Sequence, residues 1–205
     1  MIRRMFWAGA FLASALALSP LAQAQEESGP TAVDLAVTFT TERAKIATSD
    51  CGCFWLKGAS VNGGVTLFRG LGMAANFTGQ HSGSIAAGVD LNKFDFMAGP
   101  RYTLQTTRWT ERFLRARRGT SVFSEALFGV AHGFQSVFPS SAGATSGANA
   151  FSMKVGGGLD VSLARGFGLR VVEINYVRSS LPNNAGDTQN DLRLGFGITY
   201  RLRWR

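Results

Sequence analysis

The chain has 205 residues, with 21 Lys and Arg against 13 Asp and Glu (net charge +8), 25 glycines and two cysteines. That length suits one domain. Two thiols are too few for a structural zinc site, which takes four ligands, and no segment approaches the roughly 18 continuous apolar residues of a membrane helix. A basic balance invites a nucleic-acid reading, but the compartment implied by the N-terminus argues against it.

Residues 1–24 read as a secretory signal: Arg3 and Arg4 form the positive region, Phe6 to Leu18 the apolar stretch, and Ala22-Gln23-Ala24 the small-x-small cleavage site. An N-terminal membrane helix is the alternative, but the apolar run is too short and Ser19-Pro20 ends it. Cleavage removes two arginines and no acids, leaving 19 − 13 = +6. Residues 25–31 then form a short periplasmic segment, and 32–205 the folded unit.

From residue 32 onward the dominant pattern is alternation of period two, which marks strands. The first predicted strand, Ala32–Ala44, sets Val33, Leu35, Val37 and Phe39 against Asp34, Thr38, Thr40 and Glu42. Cys51-Gly-Cys53 follows; in an oxidising compartment it reads as a strained local disulfide, with redox function or metal capture as alternatives. The second and third strands, Trp55–Phe68 and Leu71–Ser82, meet at the tight Arg69-Gly70 turn. The fourth, Lys93–Thr106, contains Pro100, which removes a ladder hydrogen bond and predicts a bulge. The connection Arg108–Thr120 is rich in arginine: Arg108, Arg112, Arg115, Arg117 and Arg118, with Trp109 and Phe113 four apart. This fits rings at a membrane interface and arginines among phosphates, or equally a solvated turn.

The fifth strand, Ser121–Gly133, is less regular; the sixth, Ala150–Leu163, alternates cleanly. The seventh, Phe167–Arg178, slips phase at Val171-Val172, which predicts a bulge. The eighth carries Leu192, Leu194, Phe196, Ile198, Tyr200, Leu202 and Trp204 on one face, with Asp191, Arg193, Thr199, Arg201 and Arg203 on the other. It exceeds the five or six residues usual for a strand and suits the 9–11 that span a bilayer. Long Gly/Ser/Asn/Ala-rich links are expected at Thr48–Phe54, Gly83–Asn92, Gln135–Asn149 and Ser179–Asn190, alternating with short turns. The fold class predicted is therefore all-β: an eight-stranded antiparallel transmembrane barrel with both termini periplasmic.

If the apolar columns face lipid, the polar columns place Asp34, Glu42, Asp95, Arg101, Glu125, Lys154, Asp160, Arg170, Glu173, Arg193 and Arg201 in the lumen. Eight strands enclose a space that side chains just fill, so these charges should pair. The expected grouping is Arg101, Arg170 and Arg193 opposite Glu125, Glu173 and Asp160, as a plug or as the lining of a narrow, gated pore. A soluble lipocalin-like barrel with apolar residues inside is the inverse alternative. For an enzyme, only His81 and His132 offer a base, with Ser82 and Ser84 near the former, and no acid is well placed.

Three segments, Phe94-Asp95-Phe96-Met97-Ala98-Gly99-Pro100-Arg101-Tyr102, Leu127-Phe128-Gly129-Val130-Ala131-His132 and Leu192–Tyr200, resemble the OmpA-like outer-membrane barrels of the opacity and surface-antigen type. The resemblance implies the fold and an outer-membrane location and says little of activity; with no catalytic constellation in view, the role expected is a non-enzymatic envelope or surface one, without cofactor or metal. It also implies that Gly197, Tyr200, Leu202 and Trp204 form a signal for the barrel-assembly machinery. Partners expected are outer-membrane lipid and lipopolysaccharide, periplasmic chaperones during biogenesis and a surface ligand, with no nucleic acid; the barrel is expected to be a monomer.

Overall fold

The structure, a computed structural model, describes residues 32–45, 53–86, 89–105, 119–140, 143–164, 166–183 and 187–203. Residues 1–24, where a signal is expected, and residues 25–31 lie outside them. Eight antiparallel strands form one closed barrel: β1 (Ala32–Lys45), β2 (Cys53–Phe68), β3 (Leu71–Ala86), β4 (Val89–Gln105), β5 (Thr120–Ser140), β6 (Gly143–Ala164), β7 (Phe167–Ser179) and β8 (Gln189–Arg203). Each pairs with the next, and β8 closes on β1.

The stagger of the barrel can be read from its ladder. Stepping from Ala32 across Thr66, Gly72, Arg101, Glu125, Gly156, Asn175 and Arg193 returns to β1 at Glu42, a displacement of 42 − 32 = 10 residues. On eight strands this stagger tilts each strand by about 40° to the axis and leaves an interior that side chains can fill. The alternation sorts the two faces cleanly. Val37, Phe39, Phe77, Phe96, Val130, Phe151, Phe196 and Ile198 are exposed on the outside, whereas Thr38, Asn62, Asn76, Asp95, Glu125 and Arg193 are buried within.

The β2–β3 turn shows how local chemistry sets this register. Arg69 (φ 47°) and Gly70 (φ 89°) both take left-handed backbone, the pattern of a two-residue I′ hairpin. Thr103 N donates to the Gly70 carbonyl at 2.7 Å, so the turn also docks on β4. Gly70→Ala is therefore expected to cost about 1–2 kcal/mol, read as a lower urea midpoint for the refolded barrel.

Three expectations need correction. Pro100 makes no bulge: it pairs with Met73, and the register with β5 is the same on both sides of it, Ala98↔Phe128 and Arg101↔Glu125. The ladder passes a missing donor without an inserted residue. The Gln135–Asn149 link is largely strand, because β5 and β6 continue as a hairpin through Phe138↔Thr145 and Ser140↔Gly143. A register shift between Phe134 and Phe138, with Gln135 at φ 55°, carries the hairpin past the barrel wall. The Gly83–Asn92 link is likewise mostly strand, closing at Ala86↔Val89. The slip in β7 is a bulge: Arg170↔Gly197 and Glu173↔Gly195 leave Val171 and Val172 both facing outward.

Candidate functional site

The interior is filled by two clusters of ion pairs. In the cluster nearer the turn end, Arg170 makes a bidentate contact to Asp160 (Nε–Oδ1 2.9 Å, Nη2–Oδ2 3.2 Å) and reaches Glu173 at 2.8 Å. Lys154 bridges Glu173 (3.4 Å) and Glu125 (2.8 Å), and Arg101 joins Glu125 to the Asn62 amide oxygen, both at 2.5 Å. The Phe123 ring lies between two guanidinium groups, Arg170 at 4.1 Å and Arg101 at 4.7 Å, an arrangement favoured by the ring's negative faces. At the turn-end mouth Arg201 pairs with Asp34.

The cluster nearer the loop end centres on Arg193, only 1% exposed. Its guanidinium donates to Glu42 at 2.6 Å, to Thr78 at 3.2 Å and to Asp95. Lys93 holds the other Glu42 oxygen at 2.7 Å. A buried apolar group, Ala74, Met97, Leu127 and Val177, accompanies the charges. On β4, Met97 sits between Asp95 and Arg101, and no ion pair among the described residues joins the two clusters. At the loop end Phe138 and Leu181 close over Ala131. The Phe138 ring occupies the place of a side chain at Gly133, where a Cβ would lie 2.5 Å from its Cζ.

All eleven residues assigned to the lumen are inside: ten are buried and Arg201 is partly so. The grouping differs from expectation, because Arg193 pairs with Glu42 and Asp95 instead of facing Glu125, Glu173 and Asp160. The climb of the ladder is the reason, since Arg193 lies opposite Glu42 near the far end of β1. Lys93 and Asp191 were missed, although both share the phase of known inward neighbours, Asp95 and Arg193. With them the described lumen holds seven carboxylates (Asp34, Glu42, Asp95, Glu125, Asp160, Glu173, Asp191) and six cations (Lys93, Arg101, Lys154, Arg170, Arg193, Arg201). The charge nearly cancels, as burial demands. The turn-end cavity beside Asp34, Ser121, Asp160, Arg170 and Arg201 has a volume of about 20 Å³, room for roughly one water.

The other predicted sites fare differently. Arg108, Trp109, Arg112, Phe113, Arg115, Arg117, Arg118, Cys51 and Trp204 lie outside the described residues. Cys53 carries an exposed free thiol 3.6 Å from an Arg43 nitrogen. Gly197, Tyr200 and Leu202 lie on β8. His81 faces outward, with Nδ1 3.0 Å from the Asn92 amide oxygen, while Ser82 points into the lumen, so the wall separates that base from that hydroxyl. His132 meets Asn149 at 2.7 Å and stacks on Phe134.

A closed barrel with an apolar outer belt and a buried, charge-paired interior defines an integral membrane β-barrel. No family model matches the chain, and no curated protein matches it. Solved structures match its fold. One is Neisserial surface protein A, with a TM-score of 0.58 at 12% identity, covering 84% of this chain and 99% of that one. Another is Ail, the attachment invasion locus protein of Yersinia pestis, in complex with the heparin analogue sucrose octasulfate. Its TM-score is 0.52 at 18% identity, covering 85% of this chain and all of the other. At these identities the likeness is one of fold, the eight-stranded outer-membrane barrel.

Proposed function

We propose that the chain is a bacterial outer-membrane protein with a non-conducting, non-enzymatic barrel. Its termini and short turns face the periplasm, and the β5–β6 hairpin projects outward as a recognition element. The observation that carries this reading is the pairing of the lumen charges: among the described residues every cation inside has a carboxylate partner, and apolar residues cap the loop end. Assembly would require periplasmic chaperones and the machinery that reads Gly197, Tyr200, Leu202 and Trp204.

The surface ligand is unlike the sulfated sugar analogue bound to Ail. The four loop-end segments Thr48–Phe54, Gly83–Asn92, Gln135–Asn149 and Ser179–Asn190 contain Asp50, Asp90 and Asp187 and no Lys or Arg. They would repel a polyanion and suit a neutral or basic partner met through hydroxyl, amide and apolar contacts. A second reading, a gated pore, draws on four buried side-chain oxygens without a partner, on Gln80, Asp95, Asn175 and Asp191, where water would sit. The expected result in a planar bilayer is no discrete conductance from a preparation that shows the heat-dependent gel shift of a folded barrel. Reproducible steps from the same preparation would make it a pore, and fractionation away from the outer membrane would end the envelope reading.

A further inference from the structure

The outside wall carries a row of polar side chains that neither the lumen nor the hairpin explains. Lys57, His81 and Asn92 lie side by side on β2, β3 and β4, paired as Lys57↔His81 and His81↔Asn92. Asn92 in turn faces Phe134 on β5, and the row is completed by Gln135. His81 donates from Nδ1 to the Asn92 amide oxygen at 3.0 Å, and Asn92 Nδ2 donates to Gln135 Oε1 at 2.5 Å. Because an amide oxygen only accepts, the Nδ1 proton is fixed and the Nε2 edge of His81 is turned to the surroundings. Gln135 holds its place with left-handed backbone (φ 55°), which non-glycine residues seldom adopt. The groups left over are two donors, the Lys57 ammonium and the Gln135 amide nitrogen, and the His81 Nε2 edge, which in this tautomer accepts and suits a hydroxyl of the headgroup.

Beside this row lies an aromatic shelf. Phe77, Phe94 and Phe134 follow one another with ring centroids 5.7 and 5.3 Å apart. Phe94 lies across Gly79, where a Cβ would come within 2.9 Å of the ring. Donors next to rings, at the loop end of a lipid-facing wall, match an amphiphile with a phosphate above and acyl chains below. Asp90 flanks the row, since its Oδ1 and His81 Nε2 both approach Gly83. A soluble polyanion would first meet the acids of the loop-end segments. A lipid phosphate is instead delivered to this depth by the bilayer itself.

We infer that Lys57, His81, Asn92 and Gln135, with the Phe77–Phe94–Phe134 shelf, form a binding site for the phosphorylated headgroup of an outer-leaflet glycolipid. This deepens the outer-membrane reading and rests on it. The test uses the folded chain in phosphatidylcholine nanodiscs doped with bisphosphorylated lipid A, with fully dephosphorylated lipid A or with phosphatidylglycerol. Native mass spectrometry reads the lipid retained per barrel. One ammonium near a lipid surface is worth about a fivefold change in retention, so the Lys57→Gln/His81→Gln double variant should lose at least that much bisphosphorylated lipid A. Arg178→Gln, on the distant β7, should change it by less than about twofold, because screening confines a charge's effect to its own neighbourhood. A heat-dependent gel shift in each variant shows that folding is intact. Equal retention by the double variant, an equal loss with Arg178→Gln, or wild-type retention of dephosphorylated lipid A or phosphatidylglycerol at the same level would overturn the site. Failure of the outer-membrane reading would appear separately, in cell fractionation.

Discussion

Arg193→Met should lower the unfolding free energy of the barrel by about 3–5 kcal/mol, the cost of leaving buried charge without its partner. Arg193 is the hub of the loop-end cluster, and its removal leaves Asp95 with only the longer Lys93 contact at 3.9 Å and takes one of two cations from Glu42. Methionine retains most of the volume, so the loss reports charge and not a cavity. Urea titration in lipid vesicles, followed by tryptophan fluorescence, measures it. Adding Asp95→Asn in the same chain should recover part of the loss, because two buried carboxylates left to share Lys93 are the source of the penalty. A shift under 1 kcal/mol for Arg193→Met would mean that water reaches the cluster and that the interior is a wet channel.

Phe96→Arg should cost about 2–4 kcal/mol, the penalty for an arginine on the lipid face at mid-bilayer depth. Phe96 is 57% exposed on the outer face of β4, midway along the strand. An exposed phenylalanine facing water would tolerate the change within about 0.5 kcal/mol. The same titration therefore distinguishes a lipid-facing belt from the outer surface of a soluble barrel. Both substitutions are single, and they probe the two faces of the barrel: Arg193 points inward from β8 and Phe96 outward from β4. If the Arg193 penalty appeared and the Phe96 penalty did not, the barrel would be charged inside yet would not sit in a bilayer.

Strand number, closure and the inward phase of the charges were all legible, because in a two-sided wall each side chain's face is set by parity alone. Parity also contained Lys93 and Asp191, which were overlooked where they lay at strand ends near presumed loops. Pairing partners were not legible. Parity says that Arg193 points inward, but only the ten-residue stagger decides that it meets Glu42 rather than Glu125. The β5–β6 extension escaped for a different reason. Its residues, Gly143-Ala-Thr-Ser-Gly-Ala-Asn-Ala150, are small, with little strand propensity and no apolar alternation. Such a segment becomes strand because its partner holds it, a tertiary cause invisible in a local window. The polar row at Lys57, His81, Asn92 and Gln135 was hidden similarly, since its members are spread over four strands.

The two ends of the chain meet along the β1–β8 seam, and charge pairs cross it at two heights. Glu42 and Arg193 are separated by 151 residues, Asp34 and Arg201 by 167. Contacts so distant in sequence form late, after the intervening hairpins have been zipped together. Until then Asp34 waits on an open edge without its counter-ion. Closure is thus the event that neutralises the barrel, and the seam acts as a latch whose fastening depends on the final strand being present and in register. A chain that stalls before residue 193 keeps these carboxylates solvated and has little drive to enter a hydrocarbon phase. An incomplete product is thereby held back from the bilayer by its own electrostatics, a form of proofreading that needs no second protein.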